Sequence, residues 1–231
     1  MTTRPLPPAH TLRALTAADL PALHRLHEDV LRALPDPGLF RLFGGAERFL
    51  ADHLGARGRS LGVFANEDLV AYGSLTRPAA DDTDNYAGDL AWTPARAGRV
   101  ALLSAAMVHP SHRGEGLHRT LIDGRIRLAA DLGAPELLVR AAPANAVSRR
   151  TLLSHGFAVA WLGVQREGSL WHVLWRPIDG PAWVGPTSDD AAFTWVAADD
   201  LPGQQQRLRE GCIGVRMRAE DDALGFVRRP P

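Results

Sequence analysis

Residues 100–118 read VALLSAAMVHPSHRGEGLH, and this stretch organises the rest of the chain. Val100 to Val108 is an apolar run interrupted by Ser104, and it reads as a central strand ending at His109-Pro110. It passes directly into Arg113-Gly114-Glu115-Gly116-Leu117-His118. Leu117, Leu121, Ile126 and Ala129 then mark a helix that stops at Gly133. A strand, a glycine loop and a helix in this order read either as a plain β–α connection or as an anion cradle. Glycines let the backbone approach a ligand closely. The first amides of a helix lack intrahelical acceptors, and the helix dipole adds positive potential there. A pyrophosphate suits such a cradle. The loop is not a nucleoside-triphosphate P-loop, because Gly-Lys-Ser/Thr is absent. It is not a dinucleotide fingerprint, because only two glycines sit here and the strand comes from mid-chain.

Upstream, residues 1–10 read as a lead-in and Thr11 to Leu15 as a short strand. Thr16 and Asp19 form a capping-box pattern opening a helix. Leu20, Leu23, His27, Val30, Leu31 and Leu34 follow at helical spacing, up to Pro35-Asp36-Pro37-Gly38. A second helix is expected from Ala46 to Leu54, with Phe49, Leu50 and Leu54 inward. Ser60 to Ala65 and Leu69 to Leu75 form a hairpin turned at Asn66-Glu67-Asp68. The polar stretch Arg77 to Gly98 carries Asp81, Asp82, Asp84 and Asp89. A loop so long is expected to be functional or mobile. Its acidic residues suit either a cationic substrate or plain solvation.

Downstream, Glu136 to Arg140 reads as a strand and Asn145 to Leu153 as a helix ending at His155-Gly156. Phe157 to Val164 and Ser169 to Arg176 read as a second hairpin. This order predicts an α/β fold with a mixed central sheet flanked by helices. Beyond Arg176, Pro177, Gly180, Pro181, Gly185 and Pro186 make a linker. A small α+β extension follows, with strands near Phe193 to Val196, Ile213 to Arg218 and Leu224 to Val227, and a helix near Leu201 to Glu210. The chain thus divides into a main domain over 1–178 and an extension over 179–231. A piece so small rarely folds alone, so it should pack on the main domain or across a homodimer.

The 231 residues are 45% apolar and 23% charged, which fits a globular protein with a sizeable core. Twenty-six acidic residues balance 26 basic ones. That balance argues against binding nucleic acid by bulk charge. Every basic residue is arginine, so no lysine is present for Schiff-base chemistry. Cys212 is the one cysteine, which excludes an intrachain disulfide and a cysteine-rich metal site. No apolar stretch is long enough for a membrane span and residues 1–10 carry no signal core, so a cytoplasmic protein without membrane contact is expected.

Val108-His109-Pro110, Arg113-Gly114-Glu115-Gly116-Leu117, Asn145, Ser148 and Gly156-Phe157 together resemble the GNAT superfamily of acetyl-CoA-dependent N-acyltransferases, as does Asn85-Tyr86-Ala87 before the central strand. The resemblance covers roughly residues 11–178. It implies a GNAT fold and a CoA loop in which Arg113 and Gly116 occupy family positions. Backbone amides of Arg113, Gly114, Glu115, Gly116, Leu117 and His118 would hold the pyrophosphate. The backbone of Ala106, Met107 and Val108 would meet the pantetheine arm, with one N–H polarising the thioester carbonyl. Asn145 would reach the arm from the other side. The activity implied is acetyl transfer from acetyl-CoA, as cosubstrate, to an amine of a small molecule or a protein.

The departures from the family pattern concern proton handling. His118 stands where the loop usually ends in Gly or Ala, Leu152 where a tyrosine often serves as general acid, and Ser104 where a glutamate often serves as general base. Tyr86 and Glu28 are the leading candidates for that work. His24, His27, His53 and Asp89 stand behind them; His24 and His27 are expected at the core edge and His53 in solvent. Cys212 lies outside the motif, which favours direct amine attack over an acyl-cysteine intermediate. His109, His112 and His118 lack helical i, i+4 spacing for zinc, and no metal is expected. A rival function is a catalytically weak module that binds acyl-CoA as a sensor.

Overall fold

The computed structural model describes residues 6, 9–34, 50, 52–55, 57–165, 168–184 and 190–229. In chain order the elements are β1 (His10–Ala14), α1 (Leu20–Arg32), β2 (Gly58–Ala65), β3 (Asp68–Thr76), α2 (Pro94–Ala97), β4 (Ala101–Val108) and α3 (Leu117–Asp131). Then follow β5 (Glu136–Ala141), α4 (Ala146–Ser154), β6 (Ala158–Val164), β7 (Leu170–Pro177), β8 (Thr194–Val196), α5 (Leu201–Arg209), β9 (Cys212–Met217) and β10 (Leu224–Arg228). No described helix is long and apolar enough to cross a membrane. The helix expected over 46–54 falls largely outside the described residues, although Leu50 is buried as expected.

The chain forms two compact units. The first comprises Met1–Pro78 and Ala101–Ala134. Its strands pair antiparallel in the order β1-β2-β3-β4. Side chains alternate along a strand, and the hairpin β2–β3 uses both faces. Phe64, Leu69 and Tyr72 pack with Leu23, Leu26 and Val30 of α1. Their neighbours Val63, Val70 and Ala71 pack with Leu117 and Leu121 of α3. The two helices therefore cover opposite faces. The entry to α1 follows the expected capping box: Asp19 accepts from the Thr16 amide at 2.8 Å, and Arg13 anchors the same carboxylate. That guanidinium holds the Asp19 carboxyl far below the usual carboxylate range.

The second unit comprises Ala79–Val100 and Pro135–Pro231. Its strand order is β5-β7-β6-β9-β10-β8. The hairpin β6–β7 matches the expected one, and Trp171 and Trp175 are buried in it. Strand β9, from beyond residue 179, lies beside β6 through Val159↔Gly214, and Ile213, Leu224 and Phe226 are buried. Gln204 of α5 meets His172 of β7 at 2.9 Å.

The polar stretch 77–98 is packed. Asn85 is buried and donates to the carbonyls of Ala79 and Ala97, each at 3.0 Å, while its Oδ1 accepts from the Ala87 amide. Arg96 lies 3.5 Å over the Trp92 ring and grips Glu136 with two nitrogens. Asp82 accepts from the Ala79 amide and Asp89 from Gln165, whereas Asp81 and Asp84 are exposed.

Candidate functional site

The segment that decides the fold also builds the most distinctive local geometry. Strand β4 pairs with β3, yet the register steps from Ser74↔Ala105 to Leu75↔Leu103, so Ser104 is the extra residue of a bulge. Bulges disrupt a ladder locally and leave backbone groups seeking partners. Arg125 of α3 supplies donors there: Nη1 donates to the carbonyls of Ser74 (3.2 Å) and Ala105 (3.0 Å), and Nε to that of Leu121 (3.0 Å). Its side chain lies against Gly73, where a Cβ would sit 3.0 Å from Nε. Burial pushes the guanidinium down to about 10, so it stays charged at neutral pH. Sequence reading missed Arg125. Its spacing of four from Leu121 places it on the apolar stripe of α3, and an arginine there signals a buried anchor.

Ser104 shares a short hydrogen bond with Thr76. Tyr72, on the α1 face of the same sheet, shares one of 2.5 Å with Nδ1 of His53. Burial lowers His53 to about 4 and raises Tyr72 well above its ordinary value, so both are neutral at pH 7. The expectation of a solvated His53 is corrected: its ring is buried, and its carbonyl accepts from Ser60 Oγ at 2.8 Å. His27 is buried and lowered for the same reason.

Beyond β4 the chain turns through His109 and a single 3-10 turn, Pro110–His112. Gly114 and Gly116 both adopt φ +85°, the left-handed region that costs other residues strain. Gly116 is the N-cap of α3. The amides of His112 and Arg113 are taken by His109 and Pro110, while those of Gly114, Glu115, Gly116 and Leu117 meet no backbone carbonyl among the described residues. No Cβ contact lies within 4 Å at Gly114. These amides, the open glycine and the start of a 15-residue helix form the strand, glycine loop and helix read from the sequence, a geometry suited to an anion. Arg113 is exposed and His118 half-buried. Ala106, Met107 and Val108 pair with Gly73, Tyr72 and Ala71 of β3.

In the second unit Asn145 caps α4, its Oδ1 accepting from the Ser148 amide at 3.0 Å. No described residue accepts from its Nδ2. Leu152 is buried on the same helix. Tyr86 is buried, with the Arg140 guanidinium 5.3 Å from its ring. Glu28 sits on the exposed side of α1 in the first unit. Cys212 is half-buried in β9.

Of the histidines considered for metal, His112 sits with His10 and Glu115; the three offer ligand atoms within 4.8 Å of one another. His109 turns to its own loop, Nδ1 accepting from the Ser111 amide, with Nε2 3.7 Å from Asp29.

The chain is similar to solved structures of known fold. The ribosomal-protein-S18-alanine N-acetyltransferase from Escherichia coli aligns with 18% identity over 78% of this chain and 99% of that one, at a TM-score of 0.54. YncA from Salmonella typhimurium, solved with its cofactor acetyl-CoA, aligns with 19% identity over 78% and 99%, at 0.55. The PaiA N-acetyltransferase from Thermoplasma acidophilum, in complex with coenzyme A, aligns with 14% identity over 73% and 98%, at 0.53. At these identities the likeness speaks to the fold. No curated protein matches the sequence significantly. The profile of the acetyltransferase (GNAT) family matches residues 21–157, from α1 to the start of the second hairpin, and includes the glycine loop and its bulged strand. With its mixed α/β sheet flanked by helices, the chain belongs to the GNAT acetyltransferase family.

Proposed function

We propose that the protein transfers an acetyl group from acetyl-CoA to an amine of a small molecule or a protein, in one ternary complex. The observation that carries this reading is the pair of left-handed glycines, Gly114 and Gly116, at the start of α3 directly behind β4 and inside the family match. In this reading the backbone from Arg113 to His118 holds the pyrophosphate. The backbone of Ala106, Met107 and Val108 meets the pantetheine arm, and Asn145 offers its Nδ2.

The amine nitrogen attacks the thioester carbonyl, the C–S bond breaks, and CoA leaves as a thiolate. Thiol pKa values lie near ~8.5, so the leaving group needs little help from an acid. A buried Leu152 is compatible with that. Proximity and a neutral amine supply most of the remaining requirement. The amine proton is proposed to be relayed by Tyr86 or Glu28 and to end on the departing CoA thiolate or in solvent. Cys212 has no part, and Cys212→Ser should turn over normally.

The test is thiol release from acetyl-CoA over a panel of amines, with CoA binding measured by calorimetry. Release that depends on amine supports transfer. Tyr86→Phe or Glu28→Gln should then lower turnover at unchanged CoA affinity; two unaltered pH–rate profiles would exclude both as the base. Tight CoA binding without turnover would favour the sensor reading. That reading draws on Ser104, which pairs with Thr76, and on Leu152, since neither supplies an acid or base. Absence of CoA binding would overturn both.

A further inference from the structure

We propose that His10, His112 and Glu115 form a zinc site that fastens the glycine loop to strand β1. The three residues come from separate stretches of the first unit. His10 opens β1, paired with Ala65 of β2. His112 ends the turn after β4, and Glu115 stands between the two left-handed glycines.

Their geometry suits a tetrahedral metal. His10 Nε2 lies 3.3 Å from Glu115 Oε2, and His112 Nδ1 lies 3.2 Å from Glu115 Oε1. Ligands about 2.0–2.1 Å from a tetrahedral zinc stand roughly 3.3 Å from one another. All the ligand atoms lie within 4.8 Å of one another, so a small closure of the two rings completes the site.

His10 gives an independent reason. Its side chain is only 10% exposed, and neither ring nitrogen makes a hydrogen bond among the described residues, the approach of Nε2 to Glu115 at 3.3 Å being misaligned for one. A buried polar group left unpaired is costly and asks for an explanation. A metal on Nε2 satisfies one of the two nitrogens. Two imidazoles and one carboxylate select zinc over magnesium or calcium, which prefer all-oxygen shells. Three protein ligands leave a fourth position for water.

The site has a consequence that rests on the CoA reading. Glu115 places a carboxylate in the loop assigned to the pyrophosphate, and like charges repel there. Zinc bound to Glu115 neutralises it and holds the loop against β1, so zinc should tighten CoA binding.

The test uses the full chain, stripped with chelator and titrated with zinc chloride by calorimetry. One zinc per chain is expected with sub-micromolar affinity, weakened at least tenfold in both His10→Ala and Glu115→Gln and unchanged in His24→Ala. Cobalt(II) in place of zinc should give the intense visible absorption of a tetrahedral centre. Glu115→Gln changes a loop residue, so its loss of zinc cannot be ascribed to unfolding; a circular dichroism melt of each variant confirms this. Binding well below one equivalent, or wild-type zinc affinity in His10→Ala or in Glu115→Gln, overturns the site. A zinc-binding chain whose CoA affinity is the same with and without zinc overturns the coupling. Neither result bears on whether CoA binds, so the failure of this inference is distinguishable from the failure of the acetyltransferase reading.

Discussion

The guanidinium of Arg125 donates to the carbonyl of Ala105 at 3.0 Å and so ties the middle of α3 to the bulge in β4. One buried side chain thereby connects the glycine-capped helix to the strand that feeds the loop. Among the described residues its hydrogen-bond partners are all backbone carbonyls and no carboxylate accompanies it.

Arg125→Met should therefore destabilise the protein by about 2–4 kcal/mol, since each buried carbonyl left without a donor costs ~1–3 kcal/mol. Arg125→Lys should recover little, because one ammonium cannot reproduce the fork that meets three carbonyls. Urea unfolding of both variants checks this. Wild-type stability in Arg125→Met would mean that other donors take over at the bulge.

Stability should fall as the pH drops from 6.5 towards 4. His53 and His172 are both lowered to about 4, His53 by burial and His172 by burial and then by the positive charge of Arg149. In this window the unfolded chain binds protons that the folded chain refuses, so acid favours unfolding. Each histidine contributes a slope of up to about 1.4 kcal/mol per pH unit. The effect is absent above pH 7, where neither state is protonated. Asp19 and Asp221, both lowered, begin to lose their contributions only as pH falls through the ordinary carboxylate range. Urea midpoints at half-unit steps should show a shallower slope in His53→Gln. An unchanged slope would mean that His53 takes up its proton alike in the folded and unfolded chains.

Gly116 should tolerate no side chain. At φ +85° and ψ 7° it caps α3, and an L-residue there costs about 1–2 kcal/mol. Gly116→Ala should show that loss in thermal melts. Gly116→Glu should in addition weaken CoA by more than tenfold, through bulk and negative charge at the cradle. Unchanged CoA affinity by calorimetry would place the phosphate site elsewhere.

Cutting the chain after Pro177 should lower the melting temperature or cause aggregation. The cut removes β9 from beside β6 and leaves β6 an open edge, which invites pairing with other chains. It also strips Gln204 from His172. Ile213, Leu224 and Phe226 are buried, and each such side chain is worth ~1.5–3 kcal/mol. A soluble fragment with an unchanged melting temperature would make the extension dispensable.

What the sequence by itself determined is local. Hydrophobic period, Gly and Pro punctuation and the Thr16–Asp19 box set the strands and helices, because those signals act within a few residues. The glycine loop was legible for the same reason: two glycines and a helix start lie within one short stretch. Tertiary structure alone decided where polar side chains ended. Arg125 reads as one more arginine until β3 and β4 bring the Ser74 and Ala105 carbonyls to it. His53, expected in solvent, is enclosed because Tyr72 and Ser60 arrive from other strands. Asn85 turns a long polar stretch into a packed one by reaching carbonyls at Ala79 and Ala97. His10 meets His112 and Glu115 although about a hundred positions separate them, because β1 closes the edge of the first sheet. A side chain's partners are set by strand register and helix docking, and those are properties of the folded chain that no local pattern encodes.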